Sequence, residues 1–408
     1  KAPAMSVPTL PDLLSPAHLA DPFPLYAELR RERPVFFYEP LNSWVLFRHA
    51  DVVAAFGDKR LSAARSRGLA EAQLPGGSER LGQFVRILQQ TCVMSDAPHH
   101  PRMRRVALEG FVPGILRRFR PLVQEELDRL LDGFADRPRV DLMREFARRF
   151  PSNVIARLMG VPGDMREAFC AWTAAGTRLF SPDPLSEAEA FAGQQAVVDM
   201  LAYMGELAAE RRVAPRPDLV SRLVMTGDGA GLSDEEVAIL CLEVVGAAHN
   251  TTLDFVGNAL HTLLTNPEGW RAAATDPSLL PGAVEELFRY AGPILFGNRV
   301  ASEDLELGGA QIRAGQLVSM FQASANRDPD VFEEPEVFDV RRRNARQHVS
   351  FGFGAHYCLG APLARLEAEL VVQTFHARLP GMRLEERELL YTPNVQSRGL
   401  QELWVRLH

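Results

Sequence analysis

The segment that most constrains the fold begins at Ser233 and stays largely apolar for about 30 residues, which is long for a globular helix. Ser233 and Glu236 have the spacing of a capping box, in which two side chains satisfy free N–H groups at a helix start. The helical pattern continues to Leu264, and Pro267 ends it. Because this helix is apolar around so much of its circumference, we expect it to cross the centre of the molecule.

Helical periodicity also dominates from about Ile115 to Phe288. Asp21 is expected to cap a first helix that ends near Arg33. Short apolar runs predict a hairpin at 35–38 and 44–47, and further strands at 298–300, 305–307, 311–312 and 317–320. An irregular stretch covers residues 325–348. Since no repeat or low-complexity linker divides the chain, we predict one domain over residues 1–408, mainly α with small β-sheets.

Composition excludes several classes of protein. A net charge of −7 without any Lys/Arg-rich block argues against a nucleic-acid binder. The first residues hold no apolar run suited to a signal peptide or membrane anchor, so we expect a soluble cytoplasmic protein. We interpret Met5 as the natural start and residues 1–4 as an added remnant. The 4 cysteines lack the spacing of a zinc or redox motif, and a disulfide framework is not expected in so large a chain.

One cysteine, Cys358, lies in a glycine-rich loop that runs from Phe351 to Gly360 and precedes a helix-forming segment. The glycines allow positive φ angles and the close approach of a flat ligand. A cysteine at a helix entrance meets free N–H donors and the positive end of the helix dipole, which stabilise a thiolate. Such a thiolate is suited to be an axial iron ligand. The alternative is a buried cysteine in a glycine-rich turn.

This loop resembles the haem-binding signature of the cytochrome P-450 family, Phe-x-x-Gly-x-His-x-Cys-x-Gly, at every fixed position. The resemblance implies a cytochrome P-450 fold, with haem b between the long central helix and the cysteine-loop helix. It further implies that Cys358 binds the iron and that Phe351, Gly352 and Gly360 shape the cofactor-binding loop.

Other segments resemble the propionate-binding elements of the same family. His100 and Arg104 lie four residues apart, on one face of an expected helix. Arg299 follows a predicted strand start, and His356 precedes Cys358 by two residues. Guanidinium groups suit this role because they bind a carboxylate in a bidentate fork.

Glu286 and Arg289 resemble the Glu-x-x-Arg element of the family. Taken alone, they would be an ordinary surface ion pair. The resemblance implies a structural role in folding and haem incorporation, with Arg342 as the third member and Arg341 as the other option.

Residues 246–252 of the long helix resemble the family's oxygen-site pattern, in which Thr251 hydrogen-bonds bound dioxygen. Taken alone, a helical threonine bonds back to its own backbone. Two residues depart from the pattern, since Ala248 replaces the usual glycine and Asn250 replaces the usual carboxylate. An amide side chain does not titrate, so Asn250 cannot serve as a general acid or base.

By the same resemblance, residues 69–93, 244–248, 293–296 and 392–396 line the substrate pocket. The apolar candidates are Phe84, Leu88, Val244, Val245, Ile294, Leu295, Phe296 and Val395. Polar candidates in or beside these regions are Arg65, Arg67, Gln89, Asn298, Asn394 and Gln396.

The resemblance implies a haem-thiolate monooxygenase that activates O2 to hydroxylate or epoxidise a small organic substrate in bacterial secondary metabolism. Electrons would come from a separate ferredoxin and ferredoxin reductase, and we expect a monomer. An acidic ferredoxin would suit a basic face around Arg104, Arg105, Arg117 and Arg118. Because of Asn250, oxidative coupling, cyclisation or nitration-type chemistry on the same haem is an alternative. A non-enzymatic haem sensor or carrier is disfavoured because no output element is visible.

Overall fold

The computed structural model describes residues 12–180, 185–229 and 231–408, so the interpretation of Met5 and residues 1–4 falls outside the described residues. In chain order, α-helices α1 to α17 cover Pro16–Ala20, Phe23–Glu32, His49–Gly57, Ser66–Gln73, Gly77–Arg80, Gly82–Gln89, His99–Glu109, Pro113–Asp132, Phe150–Leu158, Arg166–Thr177, Glu187–Val213, Leu219–Gly229, Asp234–Thr265, Pro267–Thr275, Leu280–Ala291, Gln322–Ala325 and Ala361–Arg378. Short 3-10 helices cover Glu39–Leu41, Gly163–Met165, Arg178–Phe180, Ala345–Gln347 and Gly354–His356, and a π-helical turn covers Met143–Ala147.

The strands are short and form small sheets. Strands β1 to β10 cover Val35–Tyr38, Ser43–Leu46, Leu61–Ser62, Arg139–Asp141, Gly297–Ala301, Leu305–Leu307, Ala310–Ile312, Leu317–Met320, Arg383–Leu384 and Trp404–Arg406. One sheet has the order β1-β2-β8-β5-β3, a second has β4-β10-β9, and β6 pairs with β7. The predicted hairpin is β1–β2, with Val35 opposite Leu46. The predicted fold class, mainly α with small β-sheets, is confirmed.

Helix α13 is the long helix predicted from Ser233, and both hydrogen bonds of its capping box are present. It packs against α9, α10, α11 and α15 and lies in the largest apolar cluster. By length and composition it would also be apolar enough to cross a membrane, but half of its most apolar stretch is buried inside the molecule. That burial is expected of a core helix, because its apolar circumference is covered by other helices.

The N-terminal region corrects one expectation. Asp21 does not cap α2, which begins after Pro22 without a side-chain cap. Asp21 instead ends the unpredicted helix α1, because its backbone N–H donates to the Ala17 carbonyl. Ser15 caps α1 by accepting a hydrogen bond from the His18 backbone N–H. A second apolar cluster packs α2 against the five-stranded sheet.

The irregular stretch predicted for residues 325–348 contains only one short 3-10 helix and leads into the cysteine loop. Helix α17 begins at Ala361, directly after that loop, and packs against α13 and α15. The loop with Cys358 therefore enters the molecule beside its central helix.

Candidate functional site

The cysteine loop is built on two glycines with left-handed backbone. Gly352 has φ +70° and Gly354 has φ +74°, which side chains rarely adopt. A Cβ on Gly354 would also lie 3.0 Å from the Phe56 carbonyl oxygen. The loop closes through the Cys358 N–H, which donates to the Phe351 carbonyl at 2.9 Å. These constraints fix the backbone that carries Cys358.

The Cys358 side chain is exposed, three residues before the first residue of α17. Desolvation by neighbouring protein atoms raises the pKa of its thiol, while the backbone N–H groups of Gly360 and Ala361 and the charges of Arg104 and Arg365 lower it. A Cβ on Gly360 would lie 3.9 Å from the sulfur, an ordinary van der Waals distance, so Gly360 borders the sulfur directly. The loop thus offers an accessible sulfur with N–H donors and cations around it, as a thiolate ligand requires.

The four residues predicted to bind propionate come together near Cys358. The rings of His100 and His356 lie 4.0 Å apart between centroids. Arg104 donates to the Tyr357 carbonyl. Burial, followed by the charge of Arg104, lowers the pKa of His100, and Arg299 lowers it further. Burial and then the charges of Arg299 and His100 lower the pKa of His356 to about 3. The positive charges of Arg104 and Arg299 thus disfavour a further positive charge on either histidine.

The same cluster has unused hydrogen-bonding capacity. The buried Nε2 of His100 has no hydrogen-bond partner within the described residues. Arg299 is 8% exposed and, among the described residues, its side chain donates only to the neighbouring Asn298 carbonyl. A buried donor without an acceptor is costly, and an anionic ligand would supply the acceptor. These residues therefore fit the two carboxylates of a haem.

Two residues of this cluster were not assigned to propionate binding from the sequence. Arg65 lies beside Arg299, and burial together with that charge lowers the pKa of Arg65 to about 9. Asp96 opposes the cations and accepts hydrogen bonds from the Ser62 hydroxyl and, at 3.0 Å, from the Ala63 N–H. The signal for Asp96 was its position four residues before His100, where its carbonyl accepts the His100 N–H at 2.9 Å.

Glu286, Arg289 and Arg342 also meet. Arg289 donates to both oxygens of Glu286, at 2.7 Å and 2.8 Å, and both side chains are 0% exposed. Arg342 donates to Glu286 at 3.1 Å. Arg341 is exposed and, among the described residues, makes no ion pair with Glu286. Arg289 further donates to three carbonyls of residues 326–337, so the cluster anchors the irregular stretch.

A second network of hydrogen bonds, beside the cluster of Glu286, Arg289 and Arg342, was not predicted from the sequence. Glu285 accepts hydrogen bonds from Arg365 at 2.8 Å and 3.0 Å and contacts His348 Nε2 at 3.0 Å. Burial alone would raise the pKa of Glu285, but these partners lower it to about 2. Arg365 also donates to the Tyr357 hydroxyl at 3.1 Å and lies over the Phe351 ring. This network therefore braces the cysteine loop from the side of α15.

The residues predicted at the oxygen site lie on α13. The Thr251 hydroxyl donates to the Ala247 carbonyl at 2.7 Å, the backbone bond that a helical threonine makes on its own. Asn250 is exposed, and Ala248 and Thr251 are partly buried. His249, between Ala248 and Asn250, turns elsewhere and contacts the Ser152 hydroxyl at 2.7 Å.

The pocket candidates divide between two apolar clusters. Phe84, Leu88, Val244 and Val245 are buried in the main cluster around α13. Leu295 and Phe296 are buried in the second cluster, where Phe296 stacks on Phe321 with ring centroids 4.8 Å apart, and Val395 packs against it. Ile294 is partly buried and pairs with Ser397 through an isolated β-bridge.

Comparison with known proteins defines the class to which this fold and site belong. The sequence model of the family described as Cytochrome P450 matches residues 272–379. The chain is 36% identical over 412 residues to Cytochrome P450 107B1 of Saccharopolyspora erythraea, covering 98% of this chain and 99% of that one. It is 36% identical over 397 residues to cytochrome P450 monooxygenase PikC of Streptomyces venezuelae, covering 95% and 91%. The solved structure of the Bacillus subtilis 168 bacillaene polyketide synthase cytochrome P450 PksS matches with a TM-score of 0.86 at 30% identity, covering 98% of this chain and 100% of that one.

Haem-thiolate oxidoreductases share this combination of helical fold, cysteine loop and cationic cluster. The chain belongs to the cytochrome P450 family. It is therefore a monooxygenase-class enzyme whose cofactor is haem bound through a cysteine thiolate.

Proposed function

We propose that the protein hydroxylates or epoxidises a small organic substrate, with Cys358 as the haem ligand. One observation carries the proposal. The exposed residue Cys358 shares one region with the nitrogen donors of His100, Arg104, Arg299 and His356, and the buried Nε2 of His100 has no hydrogen-bond partner among the described residues. When bound, haem supplies an iron centre for dioxygen reduction, and thiolate electron density favours O–O cleavage.

The chain's own residues hold and orient the cofactor. Gly360 and Ala361 direct N–H groups at the sulfur, which favours the thiolate. His100, Arg299 and His356, which lie close to one another, would donate hydrogen bonds to the carboxylates of the cofactor. Because the Nε2 of His100 has no acceptor in the described part of the chain, its hydrogen bond is available to a ligand.

The ligand assignment is tested by the absorption of the ferrous carbon-monoxide complex. The unmodified protein should show the red-shifted band of thiolate ligation, and Cys358→His should lose it. Cys170→Ser, at a partly buried cysteine elsewhere in the chain, is the matched control and should keep the band. A globin-like spectrum from the unmodified protein would refute the assignment.

The reaction type depends on the residues of α13. Asn250 cannot exchange a proton as a carboxylate does, so the Thr251 hydroxyl and water would have to transfer protons to the reacting oxygen. That role requires the Thr251 hydroxyl to leave the Ala247 carbonyl, or to accept a second hydrogen bond while donating to it. Labelled dioxygen tests the outcome, because hydroxylation or epoxidation must place one labelled atom in the product.

Oxidative coupling, cyclisation or nitration-type chemistry is the second candidate, favoured specifically by Ala248 and Asn250. Product without label would remove simple oxygen insertion. Asn250→Asp supplies the usual carboxylate, and we expect it to change the ratio of product formed to electrons consumed. Unchanged coupling with the true substrate would place Asn250 outside the proton path.

We further propose that the electron donor is an acidic ferredoxin that docks beside α7 and α8. Arg105, Arg117 and Arg118 are exposed and make no ion pair with any described residue, and Leu108 beside them is 45% exposed. Arg117, Arg118 and Arg222 line a surface depression of about 480 Å³. Arg104 does not belong to this face, because it turns towards the Tyr357 carbonyl.

The docking proposal predicts that Arg117→Glu/Arg118→Glu slows reduction by a plant-type ferredoxin at least about tenfold at low salt, and that salt reduces the difference. Arg31→Glu, at an exposed residue on α2, is the control. An equal rate for both variants would exclude this face.

A cytoplasmic monomer with one catalytic domain acting in bacterial secondary metabolism completes the proposal. The names of two relatives support the metabolic role, since one is a monooxygenase from Streptomyces and the other belongs to a polyketide synthase system. Spectral titration with a polyketide-like compound library tests it, because a substrate that binds beside the haem would change the absorption of the cofactor. The same titration with a library containing only steroids and fatty acids is the control.

A further inference from the structure

One carboxylate on the central helix joins two regions that line the proposed pocket. Glu243 on α13 accepts a hydrogen bond from the Cys92 N–H at 2.8 Å through one oxygen, and from the Val93 N–H at 2.8 Å through the other. Cys92 and Val93 belong to the loop of residues 90–98, which connects α6 to α7. The contact spans about 150 positions of sequence, so only the folded chain creates it.

The chemistry of this contact requires a carboxylate. Two successive backbone N–H groups both donate, and an ionised carboxylate accepts at both oxygens without a proton of its own. Burial raises the pKa of Glu243, while these two donors and the charge of Arg104 lower it. A glutamine could accept only one of the two hydrogen bonds and would turn its NH2 group towards the other donor.

Other hydrogen bonds of this loop lie on either side of Cys92 and Val93, and they include those that Asp96 accepts from Ser62 and Ala63. The Thr91 hydroxyl donates to the Leu88 carbonyl at 2.7 Å, and the Ser95 hydroxyl donates to the Thr91 carbonyl at 2.6 Å. Val93, at the middle of the loop, is 42% exposed, while Cys92 is 7% exposed. Glu243 is therefore the contact that holds the outer part of the loop against α13.

The position of the clamp relates it to the reaction site. Glu243 precedes Asn250 by seven residues, about two helical turns or 10 Å along the axis, and on nearly the same face. The clamped loop continues into α7, which carries His100 and Arg104. The loop thus bridges the oxygen-site face of α13 and the cationic cluster.

We propose that Glu243 is a positioning residue that holds residues 90–98 as one wall of the substrate pocket and so sets which substrates fit. This rests on the proposed function, since it treats the loop as a pocket wall. The expected ligand class is bulky organic molecules that reach beyond the haem towards α6. Small ligands of the iron would not contact the wall.

Hydrogen–deuterium exchange of the haem-loaded protein tests the clamp without any substrate. In Glu243→Gln, amides of residues 90–98 should exchange roughly tenfold faster or more, because one charge-assisted hydrogen bond corresponds to at least about tenfold in an equilibrium constant. Glu243→Asp, with a shorter side chain, should show the same direction. Glu235→Gln, at an exposed glutamate of the same helix, is the matched control.

Two iron ligands of different size then test the pocket wall. Affinity for 4-phenylimidazole should fall about tenfold in Glu243→Gln, whereas affinity for imidazole should stay within about twofold. Equal exchange in the Glu243→Gln and Glu235→Gln proteins, or equal loss of both affinities, would overturn the proposal. Failure of the proposed function would be seen separately, as the absence of the thiolate-type carbon-monoxide band in the unmodified protein.

Discussion

Replacing Glu286 by glutamine removes one negative charge from a buried position, where water cannot solvate the positive charge that remains on Arg289. Glu286 and Arg289 are both 0% exposed, and their two hydrogen bonds measure 2.7 Å and 2.8 Å. Glu286 also accepts from Arg342 at 3.1 Å and from the Asp339 N–H at 3.0 Å. In Glu286→Gln the guanidinium of Arg289 keeps its charge and loses its counterion, so the cost comes mainly from an uncompensated buried charge.

Breaking a buried pair in this way costs about 3 to 5 kcal/mol. That is a large share of the roughly 5 to 15 kcal/mol that stabilises a typical domain. With an unfolding entropy of about 2.1 cal/mol/K per residue over the 408 residues of the chain, the melting temperature should fall by about 5 °C. Arg342→Met should cost less, because it leaves the Glu286–Arg289 pair intact and Arg342 is 8% exposed.

Urea unfolding followed by tryptophan fluorescence measures the effect, with haem content and the slope of the transition compared between variants. Glu125→Gln is the control, since Glu125 pairs with Arg157 at 2.6 Å but is 66% exposed, and such surface pairs contribute less than about 1 kcal/mol. The expected order of destabilisation is Glu286, then Arg342, then Glu125. A Glu286→Gln protein as stable as the Glu125→Gln protein would refute the argument from burial.

Three further predictions concern buried or cofactor-directed charges. Burial raises the pKa of Asp254 from 3.8 to about 6. The contribution of protonated Asp254 to the free energy of unfolding is complete below about pH 4 and is lost as the pH rises through 6. Across that window, Asp254→Asn should therefore become more stable than the unmodified protein by up to about 3 kcal/mol, measured by urea unfolding at each pH. Burial raises the pKa of Glu367 from 4.5 to about 8, so Glu367→Gln should be the more stable protein by roughly 3 to 5 kcal/mol at pH 8 and nearly equal at pH 4; equal melting temperatures at pH 8 would contradict this. Arg299→Met should speed haem transfer to apomyoglobin about tenfold or more, with unchanged transfer for Arg313→Met at a 70% exposed arginine.

The parts of the fold that the sequence predicted well have local causes. Ser233, Glu236 and Pro267 set the ends of α13 because capping and proline geometry act within a few residues. Short apolar runs separated by turn residues likewise predicted the β1–β2 hairpin. Asp21 shows the limit of such signals, since a residue suited to begin one helix can instead end the helix before it.

Long-range pairings had no local signal. Strand β2 pairs in parallel with β8, so that Ser43 lies opposite Leu317. Buried Arg30 donates to the Ser324 carbonyl at 3.0 Å across 294 positions of sequence. Neither partner has a residue type or spacing that identifies the other, because the contact depends on how all the intervening elements pack.

The candidate site divides in the same way. Cys358 and His100 lie in compact motifs whose spacing is visible in the sequence. Glu285 lies beside Glu286 and Arg365 follows the cysteine motif by five residues, but their mutual hydrogen bonds exist only after α15 and α17 pack. Their signal was indirect, since charged residues that are buried must be paired.

The carboxylates of α13 give a physical reason for its most unusual residue. Glu243, Asn250 and Asp254 fall within about 40° of one another around the helix, because each residue advances it by about 100°. Asp254 hydrogen-bonds Ser397, and a Cβ on Gly399 would lie 1.9 Å from its Oδ1, so its carboxyl is tightly covered. A carboxylate at position 250 would lie one turn from Asp254, about 6 Å away.

Two like charges at that distance repel by roughly 0.7 to 3 kcal/mol, depending on how far water screens them. The neutral amide of Asn250 avoids this repulsion while Asp254 holds the C-terminal loop. Asn250→Asp should therefore lower stability at pH 8 more than at pH 4, and the added Asp254→Asn substitution should remove that difference. Urea unfolding of the single and double variants at both pH values measures the coupling. If Asn250→Asp lowered the free energy of unfolding at pH 8 equally in the presence of Asp254 and of the Asp254→Asn substitution, charge repulsion along this face of α13 would not be the reason for Asn250.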